Sequence, residues 1–367
     1  MGRFDGQPPT HKDQLEIRAL CEVDVIQALD GGGYRIEYLQ RDKDKPRRGT
    51  RESVTARRVI VAAGCLGTNE LLLRSSRPHR ATLPHLSERV GEGFSTNGDY
   101  IAFLPKTKNW VSLVRGPVTT CFAHFNAGDA GTGGNNALFH NIEDQGIPPA
   151  LAALVGVGVP FIRSLGKGRR HFPLLAWQIL RLALRTLRGI FMNANEQQDF
   201  FRSEDERTGR MMCIVAQGRE AGAGKFTPGG SGDTPLRVTR TDGKKHFWDD
   251  DIYKAIDATV KRLGDLMGAT PKDQFFNPFL QKSISALAPT AVPVPHPLGG
   301  CRMGKTAADG VVDEYGRVFD ASRLGGVYEG LYVADAAIIP TSLGVNPSLT
   351  ISAVALRIVD EIIREIA

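Results

Sequence analysis

The sequence predicts a mixed α/β fold in which two α/β stretches enclose a block of different character. Residues 1–104 and 291–367 combine short apolar strands with glycine turns and helices, whereas residues 105–290 alternate strand-like pieces with loops. The 367 residues, 41% of them hydrophobic, suffice for two folded domains. We therefore predict one domain built from residues 1–104 and 291–367, interrupted by a second domain, residues 105–290.

Composition and charge exclude several classes of protein. The net charge of +6 is modest for this length, and basic residues are scattered outside 163–188, so we predict no nucleic-acid binding. Five widely spaced cysteines without a C-x-x-C pair exclude a disulfide framework and a zinc site, and we predict no metal. The polar N-terminus and the lack of a long apolar stretch predict a soluble, cytoplasmic protein.

The first elements form a predicted hairpin. Residues 15–29 and 34–42 are strand-like runs, and Asp30-Gly31-Gly32-Gly33 between them is a hairpin signal. The next apolar run, ARRVIVAAG at 56–64, is typical of a parallel strand that is buried on both faces.

A glycine turn and a helix follow this strand. The turn is Gly64-Cys65-Leu66-Gly67-Thr68, and Thr68 is placed to cap the helix NELLLRSS. A strand, glycine turn and helix can bring backbone N–H groups against a phosphate, although the same pattern also serves as a tight connection that binds nothing. With the enclosing arrangement, this pattern suggests a nucleotide-binding domain interrupted by a substrate domain.

The middle block contains several strand-like pieces and one amphipathic segment. The strand-like pieces are WVSLV, VTTCFAHF, MMCIVAQ and LRVTR. Residues 171–191 place leucines on one helical side and Arg181, Arg185 and Arg188 on the adjacent side. Such a helix either covers the core with a basic outer face or lies on an anionic membrane, with Trp177 near the headgroups.

His296 is a candidate acid–base residue. A side chain that takes or gives a proton near neutral pH needs a pKa close to that pH, which favours histidine. Pro295 and Pro297 stiffen the backbone around His296, which suits a preorganised catalyst. The other interpretation is a histidine that satisfies backbone groups in a turn.

Asn346-Pro347 joins a buried-looking strand region to an apolar helix. Pro347 suits the first turn of that helix, and Asn346 either caps the helix or points its amide into a site at the helix N-terminus. Asp335 ends the strand LYVAD, where it can cap the next turn.

Four blocks together resemble the glucose–methanol–choline (GMC) family of flavin oxidoreductases, and most closely its cholesterol-oxidase-like branch. The blocks are VIVAAGCLGTNELLLRS, VGEGFSTNGD, HPLGGCRMG, and GVVDEYGRVFD followed by LYVADAAIIPTSLGVNPSLTISAVALRI. They keep the family's order and spacing across residues 15–363. The resemblance implies a doubly wound FAD domain, a substrate domain built on an antiparallel sheet, and flavin-dependent oxidation of a bulky apolar alcohol such as a sterol.

The chain departs from the family pattern at two places. Asn69 stands where the family usually has proline, and no G-x-G-x-x-G lies near the N-terminus. The resemblance therefore implies either a fragment or a separate polypeptide that supplies the missing FAD motif. The alternative to an enzyme is a non-catalytic remnant or partner subunit that binds an apolar ligand without turnover.

The resemblance also implies roles for particular residues. His296 and Asn346 would be catalytic, and a carboxylate base at Glu204 or Glu206 is a further candidate, although that charged run is also typical of a solvated surface. The residues expected at FAD are Val23, Gly64, Gly67, Asn97, Gly98, Asp335, Pro347 and Ser348.

Overall fold

The structure is a computed structural model that describes residues 16–44, 48–76, 82–104, 107–125, 138–148, 152, 209–229, 236–269, 275–276 and 294–366. The strands are β1 Cys21–Ala28, β2 Tyr34–Arg41, β3 Gly49–Ala56, β4 Val59–Val61, β5 Glu92–Ser95, β6 Tyr100–Leu104, β7 Phe122–Phe125, β8 His140–Asp144, β9 Met212–Gly218, β10 Gly224–Pro228, β11 Leu236–Arg240, β12 Phe275–Phe276, β13 Leu298–Gly300, β14 Arg317–Phe319 and β15 Val327–Val333. The α-helices are α1 Gly64–Ser75, α2 Asp251–Leu266 and α3 Ser348–Ile366, and short 3₁₀ helices occupy Phe247–Asp249 and Ala336–Ile338.

Strands β1, β2 and β3 form an antiparallel sheet. The hairpin predicted around Asp30–Gly33 is confirmed, since β1 pairs with β2 and Ala28 lies opposite Tyr34. Gly33 has a φ of +77°, and a Cβ added there would lie 2.8 Å from the carbonyl oxygen of Ala56. A side chain is therefore excluded at this turn by both backbone conformation and space.

The core of the α/β region lies beside a parallel pair of strands. Strand β4 pairs in parallel with β15, and β14 adds antiparallel to β15. Val61, Leu331 and Leu72 of this core are at most 4% exposed, and α3 contributes Ile358. The parallel pairing of the run at 56–64 is confirmed.

The prediction that this strand is buried on both faces is wrong. Ile60 is 47% exposed because side chains of a strand alternate between two faces, and the described residues cover only one of them.

The prediction that Thr68 caps the first helix is also wrong. Helix α1 begins at Gly64, four residues earlier, and its N-cap residue Ala63 makes no side-chain cap. Thr68 is fully buried inside the helix, where its hydroxyl donates to Asp335 and accepts the N–H of Ala63 at 3.2 Å. The glycine turn is thus absorbed into the helix, because the carboxylate of Asp335 accepts the Gly64 N–H at 2.9 Å and replaces an N-cap side chain.

Two antiparallel sheets complete the described architecture. Strands β11, β10, β5 and β13 form one sheet. This sheet contains strands from each of the ranges 1–104, 105–290 and 291–367, and the domain boundaries at the ends of these ranges stay a prediction. Strands β12, β6, β9, β8 and β7 form the other. The pieces MMCIVAQ and LRVTR are strands β9 and β11, whereas WVSLV makes only an isolated bridge between Val111 and Arg210.

Helix α2 covers one face of the five-stranded sheet. Ile252, Ile256 and Val260 recur every four residues, are 0% exposed, and pack against Tyr100 and Ile214 of the sheet. Asp250 caps the helix by accepting the N–H of Ile252 at 3.4 Å. Among the described residues, no helix has the length and apolarity to cross a membrane. The amphipathic segment 171–191 lies outside the described residues.

Candidate active site

The imidazole of His296 is held by the carboxylate of Asp99. Oδ1 of Asp99 lies 2.7 Å from Nδ1 of His296, and Oδ2 accepts the backbone N–H of the same histidine at 2.8 Å. Because an ionised carboxylate only accepts hydrogen bonds, the proton lies on Nδ1. The Nε2 atom of the neutral ring is then unprotonated, and it can accept a proton from a bound molecule.

Burial and charge act in opposite directions on His296. Partial burial, the largest effect, lowers the pKa of the imidazole. The hydrogen bond and the negative charge of Asp99, together with the charge of Glu143, outweigh it and raise the pKa above its ordinary value. The side chain of His296 is 22% exposed whereas that of Asp99 is 0% exposed, so the imidazole is reachable and the carboxylate is shielded from solvent.

Strand pairing brings Asp99 to His296. Asp99 follows β5 by four residues, and His296 precedes β13 by two residues. These strands pair antiparallel with Leu298 opposite Ser95, so the end of one strand lies at the start of the other. The backbone alone therefore places the carboxylate near the imidazole, independently of either side chain.

The turn between β5 and β6 also fixes the segment before α3. Asn97 is fully buried, and its Oδ1 atom accepts the N–H groups of Leu343 and Gly344, both at 2.9 Å. Its Nδ2 atom donates to the carbonyl of Val345 at 2.9 Å. One asparagine thus ties the turn that contains Asp99 to the residue directly before Asn346.

Gly98 lies at a close approach between two backbones. It has a φ of +64°, and a Cβ added there would lie 2.4 Å from the carbonyl oxygen of Gly218. Asn97 also has a positive φ, 56°, which asparagine tolerates better than most residues. The predicted site residues Asn97 and Gly98 are therefore brought together with His296 by one strained turn.

Asn346 lies at the entrance to α3 with an exposed side chain. The carbonyl of Pro347 accepts the N–H of Ile351 at 2.9 Å, so the helical hydrogen bonds begin at the proline, and Ser348 is the first helical residue. No hydrogen bond joins the side chain of Asn346 to any residue in the described part of the chain. The capping interpretation therefore has no support in this geometry, and the amide is available to a bound molecule.

Asp335 links the end of β15 to the start of α1. Its carboxylate accepts the N–H of Gly64, the hydroxyl of Thr68 and the N–H of Ala337. Burial raises the pKa of Asp335, and these three hydrogen bonds oppose the effect. The residue does cap the 3₁₀ turn Ala336–Ile338, as one interpretation of the sequence predicted, and it also holds α1 against the strand.

The remaining predicted site residues lie in two places. Gly67 is inside the first turn of α1, and the same helix contacts β13 because Asn69 donates to the carbonyl of Gly299 at 3.0 Å. Val23 lies in β1 opposite Tyr38 and packs against the α/β core, in a different sheet from the strand β13 that follows His296. Glu204 and Glu206 lie outside the described residues.

The sequence did not identify Asp99 as the partner of His296. Asp99 ends the block VGEGFSTNGD, and no spacing rule relates it to a residue 197 positions later. The polar residues Asn141 and Glu143 in β8 were also missed, because HNIED reads as an ordinary half-polar strand. No group of His, Cys, Asp and Glu within the described ranges is arranged to hold a metal ion.

Comparison with known sequences finds a family model and several oxidases that resemble this chain. A family model described as GMC oxidoreductase matches residues 176–355. A cholesterol oxidase of Mycobacterium tuberculosis (strain ATCC 25618 / H37Rv) is 28% identical over 322 residues, which are 84% of this chain and 47% of that protein. A long-chain-alcohol oxidase of Arabidopsis thaliana is 28% identical over 133 residues, 36% of this chain and 15% of that protein. The chain thus spans less than half the length of these relatives.

Comparison with solved structures gives the same type of fold. A formate oxidase of Aspergillus oryzae RIB40 aligns with a TM-score of 0.53 and 16% identity, over 94% of this chain and 60% of that chain. A pyridoxine 4-oxidase of Mesorbium loti aligns with a TM-score of 0.51 and 14% identity, over 93% of this chain and 57% of that chain. At these identities the likeness concerns the fold alone.

Proposed function

We propose that the chain is a GMC oxidoreductase that binds FAD and oxidises an alcohol, on the premise that residues 176–355 match the family model of that description. The proposed substrate is a bulky apolar alcohol, sterol-like, since the matching relatives are named cholesterol oxidase and long-chain-alcohol oxidase. The pairing of His296 with Asp99 carries the proposal, because it gives a partly exposed imidazole a fixed tautomer and a buried counter-charge.

The residues around α1 and α3 fit FAD. Beside Gly64, which has a φ of +75°, an added Cβ would meet no atom within 4 Å, so there is room near the start of α1 for a phosphate. Ser348 and Leu349 are exposed at the start of the 19-residue helix α3, whose first N–H groups suit a flavin carbonyl. Asp335 supplies an acceptor for cofactor hydroxyls near α1.

Each catalytic residue has a separate task in this proposal. FAD, when bound, supplies the acceptor for the hydride that leaves the carbinol carbon. Nε2 of His296 takes the hydroxyl proton, and Asp99 stabilises the imidazolium that results. The side-chain amide of Asn346 donates to the substrate oxygen and orients the carbinol carbon.

The experiment that tests the proposal measures cofactor and turnover separately. Flavin absorbance of the purified protein, with and without added FAD, reports binding, and reduction of the flavin by cholesterol reports oxidation. His296→Ala should lower turnover by at least about 10²-fold with unchanged FAD content. Near-normal turnover in this variant would remove His296 from the mechanism.

A second candidate function, that of a subunit without turnover of its own, is favoured by the outer face of α3. Leu349, Leu356 and Ile363 follow one another at seven-residue spacing and are 85%, 59% and 58% exposed. We propose that a separate polypeptide that completes the FAD site covers this apolar face. In sedimentation velocity, Leu356→Glu with Ile363→Glu should abolish the association of this chain with that polypeptide. Asp360→Asn on the same helix should not.

The cytoplasmic location and a contact between residues 171–191 and an anionic membrane remain proposals. Arginines on one side of an amphipathic helix would strengthen binding to anionic lipid, and added salt would weaken it. Sedimentation with anionic vesicles at low salt tests the contact. Arg181→Glu with Arg185→Glu should reduce it, and equal binding by this variant would contradict a membrane role.

A further inference from the structure

The five-stranded sheet has one face that α2 does not cover. Along β8 and β9, Ile142, Ile214 and Ala216 pack against α2. Side chains of a strand alternate between the two faces, so Asn141, Glu143 and Gln217 point to the opposite face. They are 2%, 5% and 0% exposed, which makes this a buried polar cluster rather than a solvated surface.

This polar cluster continues the row that contains Asp99. In the pairing of β6 with β9, Tyr100 lies opposite Ala216, and one further step places Asp99 opposite Gln217. Gln217 in turn lies opposite Asn141 of β8. Neighbouring strands are about 4.8 Å apart, so Gln217 is one strand away from the carboxylate that holds His296. The charge of Glu143 also acts on His296, in agreement with this placement.

The hydrogen bonds within the cluster fix the orientation of both amides. Nδ2 of Asn141 donates to Oε1 of Glu143 at 2.5 Å and to Oε1 of Gln217 at 3.2 Å. Rotating the amide of Asn141 would set its oxygen against the carboxylate, and rotating that of Gln217 would set two donors against each other. Both amides are therefore oriented by the acceptor Glu143.

This orientation leaves one acceptor and one donor without partners among the described residues. Oδ1 of Asn141 and Nε2 of Gln217 are buried and make no hydrogen bond to any of those residues. Buried amide groups are nearly always satisfied in native proteins, so an unpaired donor and acceptor in neighbouring side chains call for a common occupant. A hydroxyl group meets both needs, because it donates through hydrogen and accepts through oxygen.

We propose that Asn141 and Gln217 form a polar subsite that binds a second hydroxyl group of the substrate, close to the carbon that is oxidised. The inference rests on the proposed function for the position of the reacting carbon at His296. The substrate is then a bulky, otherwise apolar alcohol that carries a second oxygen beside the oxidised carbon, and the subsite binds it more tightly than the corresponding mono-alcohol. A mono-alcohol such as cholesterol is bound less tightly because it leaves the polar groups of the subsite unpaired.

The test compares three ring alcohols of similar size with the purified protein in the presence of FAD. Ligand-observed NMR gives the dissociation constants of cyclohexanol, cis-cyclohexane-1,2-diol and trans-cyclohexane-1,4-diol. We expect the 1,2-diol to bind at least about tenfold more tightly than cyclohexanol, and the 1,4-diol to bind like cyclohexanol. The preference should disappear in Gln217→Leu and also in Gln217→Met, which keeps an unbranched side chain.

Gln145→Leu is the matched control, since the Nε2 atom of Gln145 already donates to the carbonyl of Gly146 at 3.0 Å. This variant should keep the preference for the 1,2-diol. Equal binding of the three alcohols, no binding of any of them, or an unchanged preference in both Gln217 variants would overturn the subsite and leave an ordered water as its occupant.

The subsite and the proposed oxidation fail in different ways. Preferential binding of the 1,2-diol without flavin reduction by any alcohol would retain the subsite and reject the oxidation. Flavin reduction by cholesterol, together with equal binding of the three ring alcohols, would retain the oxidation and reject the subsite.

Discussion

The carboxylate of Asp99 makes two hydrogen bonds to His296, which lies 197 positions later in the sequence. Oδ1 is 2.7 Å from the ring Nδ1, and Oδ2 accepts the backbone N–H at 2.8 Å. A contact to the ring alone would raise its pKa and still let the backbone move. The second contact fixes the backbone of a residue that already lies between two prolines. The orientation of the imidazole is therefore set by one buried carboxylate, which makes Asp99 a positioning residue for the proposed base.

Asp99→Asn should lower turnover and move its pH dependence. The amide can donate to Nδ1 and thereby favour the tautomer with hydrogen on Nε2, which cannot act as a base; we expect a loss of about 10²- to 10⁴-fold. Because Asp99 raises the pKa of His296, the residual activity should begin to rise at lower pH than in the wild type. Steady-state rates between pH 5 and 9 measure both effects.

Asp251→Asn, which alters an exposed carboxylate paired with Lys254, is the control for this experiment. It should leave the rate and the pH profile unchanged. An Asp99→Asn enzyme with the wild-type profile would show that the carboxylate does not act on the base.

The same pair should make stability depend on pH. In the wild type the folded pKa of His296 is raised, so its stabilising contribution is complete below the unfolded pKa of about 6.5 and disappears as the pH rises through the folded value. In Asp99→Asn, burial still lowers the pKa of His296, but the carboxylate that opposes this effect is gone. The difference in free energy of unfolding between the two proteins should therefore be larger at pH 5.5 than at pH 8.5.

Urea unfolding at the two pH values, with His296→Gln introduced into both proteins as the control, measures this difference. The control pair should show a smaller change with pH, since only the carboxylate of Asp99, whose own pKa is raised by burial, is then left to titrate. A wild-type advantage that grows from pH 5.5 to 8.5 would mean that the pKa of His296 is lowered rather than raised.

Much of the fold could be predicted because its signals are local. The glycine turn after Asp30 and the apolar run at 56–64 indicated a hairpin and a parallel strand, and both are present. The predicted start of α1 is wrong because its cap, Asp335, lies just after β15, 271 positions from Gly64. A local rule assigns caps to neighbouring side chains, so it selected Thr68.

The candidate site was predictable only in part for a related reason. His296 and Asn346 stand out through flanking prolines, which are visible in the sequence itself. Asp99, Asn141 and Gln217 form their relationships through the register of paired strands. A shift of one residue in that register would turn these side chains to the other face, and the sequence of a single strand does not determine it.

Asn97→Ala should destabilise the protein by about 2–4 kcal/mol, since three hydrogen bonds to the segment before α3 are lost in a buried place. Asn97→Gly should cost about 1 kcal/mol less than Asn97→Ala, because glycine accepts the positive φ of 56° without strain. Urea unfolding measures both, with the exposed Asn109→Ala as the control. Equal stability of the wild type and both variants would mean that the hydrogen bonds of Asn97 do not contribute to the free energy of unfolding.

Thr68→Val should destabilise the protein by about 1–3 kcal/mol, more at pH 7 than at pH 4. The hydroxyl of Thr68 helps to stabilise the ionised form of Asp335, whose pKa burial already raises. Removing the hydroxyl raises that pKa further, so the loss of stability appears as the pH rises through the pKa of Asp335 in the folded protein. Thr55→Val on the exposed strand β3 is the control, and a deficit that is larger at pH 4 would contradict this account.

Asn346→Ala should separate the two interpretations of the residue at the start of α3. Its side chain is exposed and makes no hydrogen bond to the described residues, so the free energy of unfolding should change by less than about 0.5 kcal/mol. If the amide donates to the substrate oxygen, flavin reduction should slow by at least about tenfold, as stopped-flow absorbance would show. Asn346→Asp, which keeps the shape but cannot donate from that atom, should be slowed as well. A stability loss of about 1 kcal/mol with an unchanged rate would instead identify Asn346 as a helix cap.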